Sequence, residues 1–217
     1  YFGTKGYIAL QGFYKDLKSF VYNLEVPFDY SPYPKPAGLR PATNLGLLTQ
    51  PINGQGGNIY GAELAATLPL GEVVGFLDGF GVTGGVSYTE TEIQPTPGAP
   101  AEDIPGYSKW VANGTAYFEK WGFNLRGSVR YRSTFVGELS GFGGNRQRRR
   151  ALDETIFDAQ VGYDFQPGSA LEGVSLFVQG QNLTDERFAT VDPRDDRAVI
   201  DYQTYGRRFL AGATLRF

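Results

Sequence analysis

Residues 121–135, WGFNLRGSVRYRSTF, alternate between apolar and polar side chains over most of their length. One row contains Trp121, Phe123, Leu125 and Val129, and the row between them contains asparagine, arginine, serine and threonine. Because successive side chains of a β-strand point to opposite faces, this alternation predicts a strand with one apolar and one polar face. The segment exceeds the about 5–6 residues usual for strands of soluble sheets and is long enough for a tilted strand to cross a bilayer, about 9–11 residues.

The same alternation recurs along the rest of the chain and predicts an all-β protein. No run approaches the about 18 consecutive apolar residues of a membrane-spanning helix. About nine strands are predicted, near residues 5–15, 18–26, 58–70, 79–92, 108–120, 121–135, 153–165, 173–183 and 205–217.

The predicted connections alternate between short and long. The short ones are DLK at 16–18, GEVVGFLDG at 71–79, KW at 120–121 and QPGSALEG at 166–173, and the long ones are 27–56, 93–107, 136–152 and 185–203. A soluble sandwich has no reason to keep its two ends so different. In outer-membrane barrels, one end has short periplasmic turns and the other has long extracellular loops. The pattern therefore predicts a transmembrane antiparallel β-barrel.

Aromatic residues concentrate near the predicted strand ends, where the two membrane interfaces of such a barrel lie. The alternative is a soluble β-sandwich whose core contains these rings. The residues near the short turns are Phe80, Phe118, Trp121, Phe123, Phe165 and Phe217, and those near the long loops are Tyr88, Trp110, Tyr131, Phe135 and Tyr205.

The amino-acid composition limits the kinds of catalytic and metal-binding site that the chain can form. The 217 residues include no Cys, Met or His, and 20 Lys and Arg stand against 23 Asp and Glu. Without Cys there are no disulfides or thiolate metal sites, and without His the commonest general base and metal ligand is missing. We therefore expect no enzymatic activity, no metal site and no cofactor, and the balanced charge gives no indication of nucleic-acid binding.

An odd number of strands is incompatible with a closed antiparallel barrel. With nine strands, the first and last run in the same direction, so an antiparallel barrel cannot close between them. An open sheet edge in lipid leaves backbone groups unpaired. We therefore predict that further strands precede Tyr1 and that residues 1–217 are the C-terminal part of a larger barrel.

Several segments, which together span about residues 5–217, resemble the C-terminal barrel of a TonB-dependent outer-membrane transporter. They include GNIYGAELAATLPL at 57–70, QNLTDERF at 181–188 and the terminal YGRRFLAGATLRF at 205–217. The order DRAVIDYQTYGRRF after NLTDERF also resembles the branch that takes up oligosaccharides rather than ferric siderophores.

This resemblance implies an integral protein of the Gram-negative outer membrane with a barrel of about 22 strands, of which this chain supplies the last. It implies active uptake of a scarce, bulky solute. The implied partners are an N-terminal plug domain, the TonB complex, the barrel-assembly machinery and outer-membrane lipid. A passive porin-like barrel and a β-rich surface adhesin remain the alternatives.

The long loop 27–56 is rich in proline and aromatic residues and is a candidate ligand-binding loop. Aromatic rings stack on sugars, and a few polar groups then fix the ligand. The alternative is that tyrosine and proline only stiffen an exposed loop. The candidate residues are Phe28, Asp29, Tyr30, Tyr33, Arg40, Asn44 and Gln50.

The polar rows of the strands are predicted to face the lumen. Their charged groups form a solvated wall or contact the plug in preference to binding ligand. The residues are Glu63, Arg126, Arg130, Arg132, Asp158, Gln160, Gln179 and Gln181.

A basic cluster in the loop 136–152 is a candidate contact for lipopolysaccharide or another anion, through charge-assisted hydrogen bonds. It comprises Arg146, Arg148, Arg149 and Arg150. Four aspartates in the last loop, at 192, 195, 196 and 201, have the composition of a calcium site. The interleaved arginines 187, 194 and 197 favour salt bridges instead.

The last strand places Phe209, Leu215 and Phe217 in its apolar row, facing lipid. A terminal aromatic residue at the end of such a row resembles the signal that the barrel-assembly machinery reads.

Overall fold

A computed structural model of the chain describes residues 5–94, 98, 100–140 and 146–216; for residues 138–140 and 146–147 it describes the backbone only. The strands are β1 (Tyr7–Asp29), β2 (Leu45–Pro69), β3 (Phe80–Ile93), β4 (Trp110–Lys120), β5 (Phe123–Arg132), β6 (Phe135–Ser140), β7 (Arg146–Ala151), β8 (Glu154–Asp164), β9 (Val174–Gln181), β10 (Arg187–Asp192), β11 (Asp195–Thr204) and β12 (Arg208–Leu215). Two short 3-10 turns, Leu70–Glu72 and Gly75–Leu77, lie between β2 and β3. Within the described ranges, no helix has the length and hydrophobicity needed to cross a bilayer.

The chain divides into two compact units. The first comprises Tyr1–Tyr14, Tyr60–Glu90 and Ile104–Phe217, and the second comprises Lys15–Ile59 and Thr91–Asp103.

The first unit is built on a sheet in the order β1-β2-β3-β4-β5-β8-β9-β12, to which β1 and β2 contribute the parts that lie in this unit. From β3 onward each strand pairs antiparallel with the next. The prediction of an all-β antiparallel fold is confirmed. In the described residues the sheet is open, with β1 and β12 at its edges.

The register of the sheet separates apolar from polar side chains. Leu125 lies opposite Val161, and Val161 lies opposite Val178. One position along, Arg126 lies opposite Gln160, and Gln160 lies opposite Gln179. Because cross-strand partners share a face, one face of the sheet is apolar and the other is polar, as the alternation predicts.

The apolar face is uncovered. Val161 and Val178 each expose 56% of their surface, so no other layer of the described chain packs over them. In a β-sandwich these side chains would form the core between two sheets. A contiguous exposed apolar surface of this kind indicates contact with lipid or with another apolar partner.

The two ends of this sheet have different connections. The short-turn end has the connections 70–79, 121–122 and 165–173, and the long-loop end has 133–153 and 182–207. The predicted separation of short turns from long loops therefore holds in this unit.

The long connections contain strands that the sequence analysis predicts as loop. β6, β7, β10 and β11 form a second antiparallel sheet in the order β11-β10-β7-β6. Ala151, Thr190 and Val191 are buried in it. Strand β7, RQRRRA, is not predicted because it has no apolar row.

The second unit contains the distal parts of β1 and β2 together with residues 91–103. Ile93 is fully buried and pairs in an isolated bridge with Glu102, and the Gln94 amide donates to the Gly56 carbonyl over 3.1 Å. The predicted tight turn at 16–18 is wrong, because β1 runs unbroken through these residues.

Among the described residues, the main sheet has eight strands rather than the nine predicted. An odd number of strands therefore no longer supports the expectation of further strands before Tyr1, which stays a prediction.

Candidate functional site

The polar face of the main sheet carries the residues predicted to line a lumen. Arg126, Arg130, Asp158, Gln160 and Gln179 occupy this face through the β5, β8 and β9 registers, and Gln181 lies there opposite Arg208. Their charges are partly balanced within the wall. Arg126 Nη2 lies 3.3 Å from Glu119 Oε1, and Arg130 Nη2 lies 3.5 Å from Asp158 Oδ2.

Arg132 serves a local structural purpose. Its Nε donates to Ser108 Oγ over 2.7 Å, and its Nη2 donates to the Gly106 carbonyl over 2.7 Å. The guanidinium also lies 3.7 Å from the centre of the Phe135 ring, a cation–π distance. Arg132 thus holds the segment before β4 against the end of β5. Glu63, on β2, accepts a hydrogen bond of 2.5 Å from Gln11.

In the second unit, three of the predicted ligand-binding residues form an aromatic cluster at the tip of the β1–β2 hairpin. The ring centres of Phe28 and Tyr30 lie 4.8 Å apart, and each lies 5.9 Å from the centre of the Tyr33 ring. Tyr33 exposes 56% of its surface, while Phe28 is half-buried. The edge-on and tilted geometry is the one that aromatic rings prefer.

The polar residues predicted beside this cluster support its backbone. The Ser31 hydroxyl and backbone N–H donate to Asp29 Oδ1 over 2.6 and 2.9 Å, and these bonds hold the pKa of Asp29 below its ordinary value. Asn44 accepts from the Tyr30 amide through its carbonyl and from Lys35 through its side chain. Arg40 and Gln50 are exposed, and within the described residues neither side chain hydrogen-bonds to the cluster.

The basic cluster is joined to the aspartates of the last loop. Arg149 forms an ion pair with Asp201, and Arg150 forms one with Asp196. Arg148 also interacts within the chain, and the side chain of Arg146 lies outside the description. Two of the four predicted lipopolysaccharide contacts therefore already have carboxylate partners.

The predicted salt bridges between the loop aspartates and the interleaved arginines are confirmed for Asp195 and Arg197, whereas the partners of Asp196 and Asp201 come from β7. Arg197 Nε lies 3.0 Å from Asp195 Oδ1, and this hydrogen bond holds the pKa of Asp195 below its ordinary value. Arg187 instead donates to the Tyr202 hydroxyl over 2.6 Å. Within the described ranges, no three Asp or Glu residues are arranged to hold a metal ion.

Aromatic rings meet at both ends of the main sheet. At the short-turn end, Phe80 contacts Phe118 with ring centres 4.5 Å apart, and Phe123 contacts Tyr163 with centres 4.8 Å apart. Towards the other end of β3, the ring centres of Tyr88 and Trp110 lie 4.7 Å apart.

The terminal strand places Phe209 and Leu215 in the apolar row of β12. They lie opposite Gly180 and Val174, and both side chains are exposed. Phe217 lies outside the described residues. Their role as an assembly signal stays a prediction.

The motifs QNLTDERF and YGR meet in space at Asn182. Its side-chain oxygen accepts from the Glu186 amide over 2.7 Å, and its amide group donates to the carbonyls of Glu186 and Gly206 over 3.1 and 3.3 Å. Arg207 Nε completes the link by donating to the Leu183 carbonyl over 2.8 Å. We call this arrangement the Asn182 junction.

A cleft of about 240 Å³ opens beside the Asn182 junction, at the long-loop end of the polar face. The sheet contributes Arg130, Asp158, Gln181 and Arg208. We call this the junction cleft.

Glu154, Glu186, Phe188 and Tyr205 also line the junction cleft. Glu154, Glu186 and Phe188 are not predicted as site residues, because Glu154 is distant in sequence from the segment that contains Glu186 and Phe188. The only available signal is the pair of motifs that meet at Asn182.

A family model described as "TonB dependent receptor-like, beta-barrel" matches residues 1–183, well over half of the 217-residue chain. No curated protein and no solved structure matches the chain. TonB-dependent receptors are outer-membrane transport proteins rather than enzymes, and they work with a plug domain and with TonB. The resemblance noted in the sequence is confirmed at this level, and the chain belongs to the β-barrel family of TonB-dependent receptors.

Proposed function

We propose that the protein takes part in TonB-dependent active uptake of a scarce, bulky solute across the Gram-negative outer membrane. An oligosaccharide is the favoured solute, and a ferric siderophore is the second candidate. The observation that carries this proposal is the pairing of an uncovered apolar face with a polar face on one sheet. A wall between lipid and an aqueous lumen requires this division.

The aromatic cluster Phe28–Tyr30–Tyr33 supports the choice of an oligosaccharide. Exposed rings held in fixed relative positions offer apolar platforms to the C–H faces of sugar rings. Asp29 and Asn44 hold the backbone of the cluster through the bonds described above, which limits the entropy lost when a ligand binds. In this proposal, Arg40 and Gln50 add hydrogen bonds to the ligand.

The other site residues take supporting roles in this proposal. The lumen-facing residues form the wall that the plug domain contacts. The basic cluster of Arg146, Arg148, Arg149 and Arg150 contacts lipopolysaccharide phosphates when its arginines exchange their present partners. Phe209, Leu215 and Phe217 form the signal for the barrel-assembly machinery.

Uptake of labelled oligosaccharide by cells that carry the full-length receptor tests the proposal. We expect uptake to fall to the background level when tonB is deleted or the proton gradient is collapsed. We also expect growth on oligosaccharides to induce expression. Induction by iron starvation would indicate a siderophore instead, and uptake that persists without TonB would indicate a passive porin-like barrel.

A further inference from the structure

We infer that the junction cleft is a binding subsite for one neutral sugar unit. This inference deepens the proposed uptake function and rests on it. It concerns residues on the polar face and on the 182–207 connection of the first unit and does not involve the aromatic cluster.

Several polar side chains of the cleft have unused hydrogen-bonding capacity. Within the described part of the chain, the side chains of Glu154, Gln181, Glu186 and Arg208 form no hydrogen bond or ion pair with another residue. Glu154, Gln181 and Glu186 are half-buried. Partial burial of a charged group without a partner is unfavourable, so a ligand that hydrogen-bonds to these groups gains affinity.

The hydrogen-bonding properties of these side chains indicate the chemical class of the ligand. Ionised carboxylates only accept hydrogen bonds, and guanidinium groups only donate them. A hydroxyl group does both, so a polyhydroxylated ligand can satisfy Glu186 and Arg208 with the same kind of group. The half-buried Phe188 and the exposed Tyr205 add apolar ring surface at the cleft. A sugar ring has hydroxyls on its edge and C–H groups on its face, and it therefore matches both surfaces.

The net charge and the volume of the junction cleft also limit which ligands it can bind. Three carboxylates, from Glu154, Asp158 and Glu186, stand against the guanidinium groups of Arg130 and Arg208. The net negative charge disfavours an anionic ligand such as ferric citrate. A volume of about 240 Å³ is below the range of about 300–1,000 Å³ usual for whole-ligand pockets, so the cleft accommodates one unit of a longer chain.

Binding of neutral hexasaccharides to the full-length receptor in detergent micelles tests this inference. The probes are maltohexaose, cellohexaose, xylohexaose and mannohexaose, measured by isothermal titration calorimetry. For the sugar that binds, we expect Glu186→Gln and Glu154→Gln each to weaken binding about tenfold, because a hydrogen bond to a charged group becomes a weaker bond to a neutral amide. Tyr205→Ala should weaken binding, while Tyr205→Phe, which keeps the ring, should restore most of it.

Glu172→Gln is the matched control. It makes the same charge change in the turn between β8 and β9, at the short-turn end, and should leave the dissociation constant unchanged. Heat-modifiable migration in gels shows that each variant has folded.

The inference is overturned if none of the hexasaccharides binds, or if the cleft variants bind like the wild type. Binding of ferric citrate alone would overturn it too, while leaving TonB-dependent uptake intact. If the receptor binds a hexasaccharide but uptake does not depend on TonB, the proposed function is contradicted and the inference about the cleft is not.

Discussion

Asn182 links the end of β9 to two segments of the last long connection. It has a φ of 53°, in the left-handed region that asparagine tolerates better than most residues. We expect Asn182→Ala to lower the opening free energy of residues 187–204 by about 1–3 kcal/mol, because three hydrogen bonds are lost at a half-buried position. Hydrogen exchange of the β10 and β11 amides measures this quantity.

Asn113→Ala provides the comparison for this variant. Asn113 is exposed on the polar face, and its side chain has no hydrogen-bond partner among the described residues. Equal exchange rates in the two variants would show that the Asn182 junction does not hold the loop.

Asp195 gives the β10–β11 hairpin a defined response to acid. The Arg197 side chain and backbone N–H both donate to its carboxylate and hold the pKa of Asp195 below its ordinary value. A group whose pKa is lowered by folding stabilises the folded state above its unfolded pKa, about 3.9 for Asp. That stabilisation is lost as the pH falls through the lower folded value. We therefore expect the hairpin tip to stay unchanged from pH 8 to about pH 5 and to loosen below about pH 4.

A fluorophore on Val199→Cys measures this transition, since the chain contains no other cysteine and Val199 is exposed. In the Asp195→Asn background, the acid step assigned to this pair should disappear. If the step keeps its size in that background, another carboxylate is responsible for it.

At the scale of elements, the alternation of side chains predicts β3, β4, β5, β8, β9 and β12 to within a few residues. It fails at β1, where the polar run Asp16–Lys18 resembles a turn. In a strand, residues two apart lie on the same face, so Asp16 and Lys18 form an ion pair without bending the chain. The run also lacks the Gly, Pro or Asn that tight turns favour.

The N-terminal part of β2 is not predicted as strand because its composition is typical of a loop. PINGQGGN, residues 51–58, has the composition of a loop, yet it is strand. A Cβ atom on Gly56 would lie 1.5 Å from the Leu17 carbonyl oxygen, so the absence of a side chain permits the approach of β2 to β1. Glycine here reflects a close backbone approach, which composition alone cannot distinguish from a turn.

The ion pair between Arg149 and Asp201 couples β7 to β11 across β10. The Arg149 side chain is only 16% exposed, so the pair is more desolvated than a surface pair. We expect a double-mutant cycle of Arg149→Gln and Asp201→Asn to give a coupling energy of about 1 kcal/mol in the opening free energy of the second sheet. Hydrogen exchange of the β7 and β10 amides supplies the four free energies of the cycle.

The Arg197–Asp195 pair is the internal control for that cycle. Both of its residues lie on β11, and its arginine side chain is 90% exposed. Its coupling energy should be smaller than that of Arg149–Asp201 because solvent screens exposed pairs. A larger coupling for this pair than for Arg149–Asp201 would contradict the assignment of the coupling to burial.

At the scale of the whole molecule, the two faces follow from the sequence, whereas the junction cleft does not. Alternation places Arg130 and Gln181 on the polar face without any knowledge of which strands are neighbours. The cleft requires Glu154, Glu186 and Tyr205 to converge, and these residues belong to three segments whose proximity depends on strand order and on the Asn182 junction. Composition contains no such information.

If the apolar face of the main sheet contacts lipid, a charged side chain placed on it should destabilise the protein in a bilayer. Val129 and Ser128 are neighbours near the middle of β5 and lie on opposite faces, where Val129 pairs with Phe157 and Ser128 with Asp158. An arginine facing lipid near the bilayer midplane costs about 2–4 kcal/mol, whereas one facing a lumen costs little. We therefore expect Val129→Arg to reduce the unfolding free energy of the full-length protein in lipid bilayers by that amount, measured by denaturant titration. Ser128→Arg should change it by less than about 1 kcal/mol, since the new guanidinium lies beside the Asp158 carboxylate. The reverse order of the two effects would place the lumen on the apolar face and contradict the assignment.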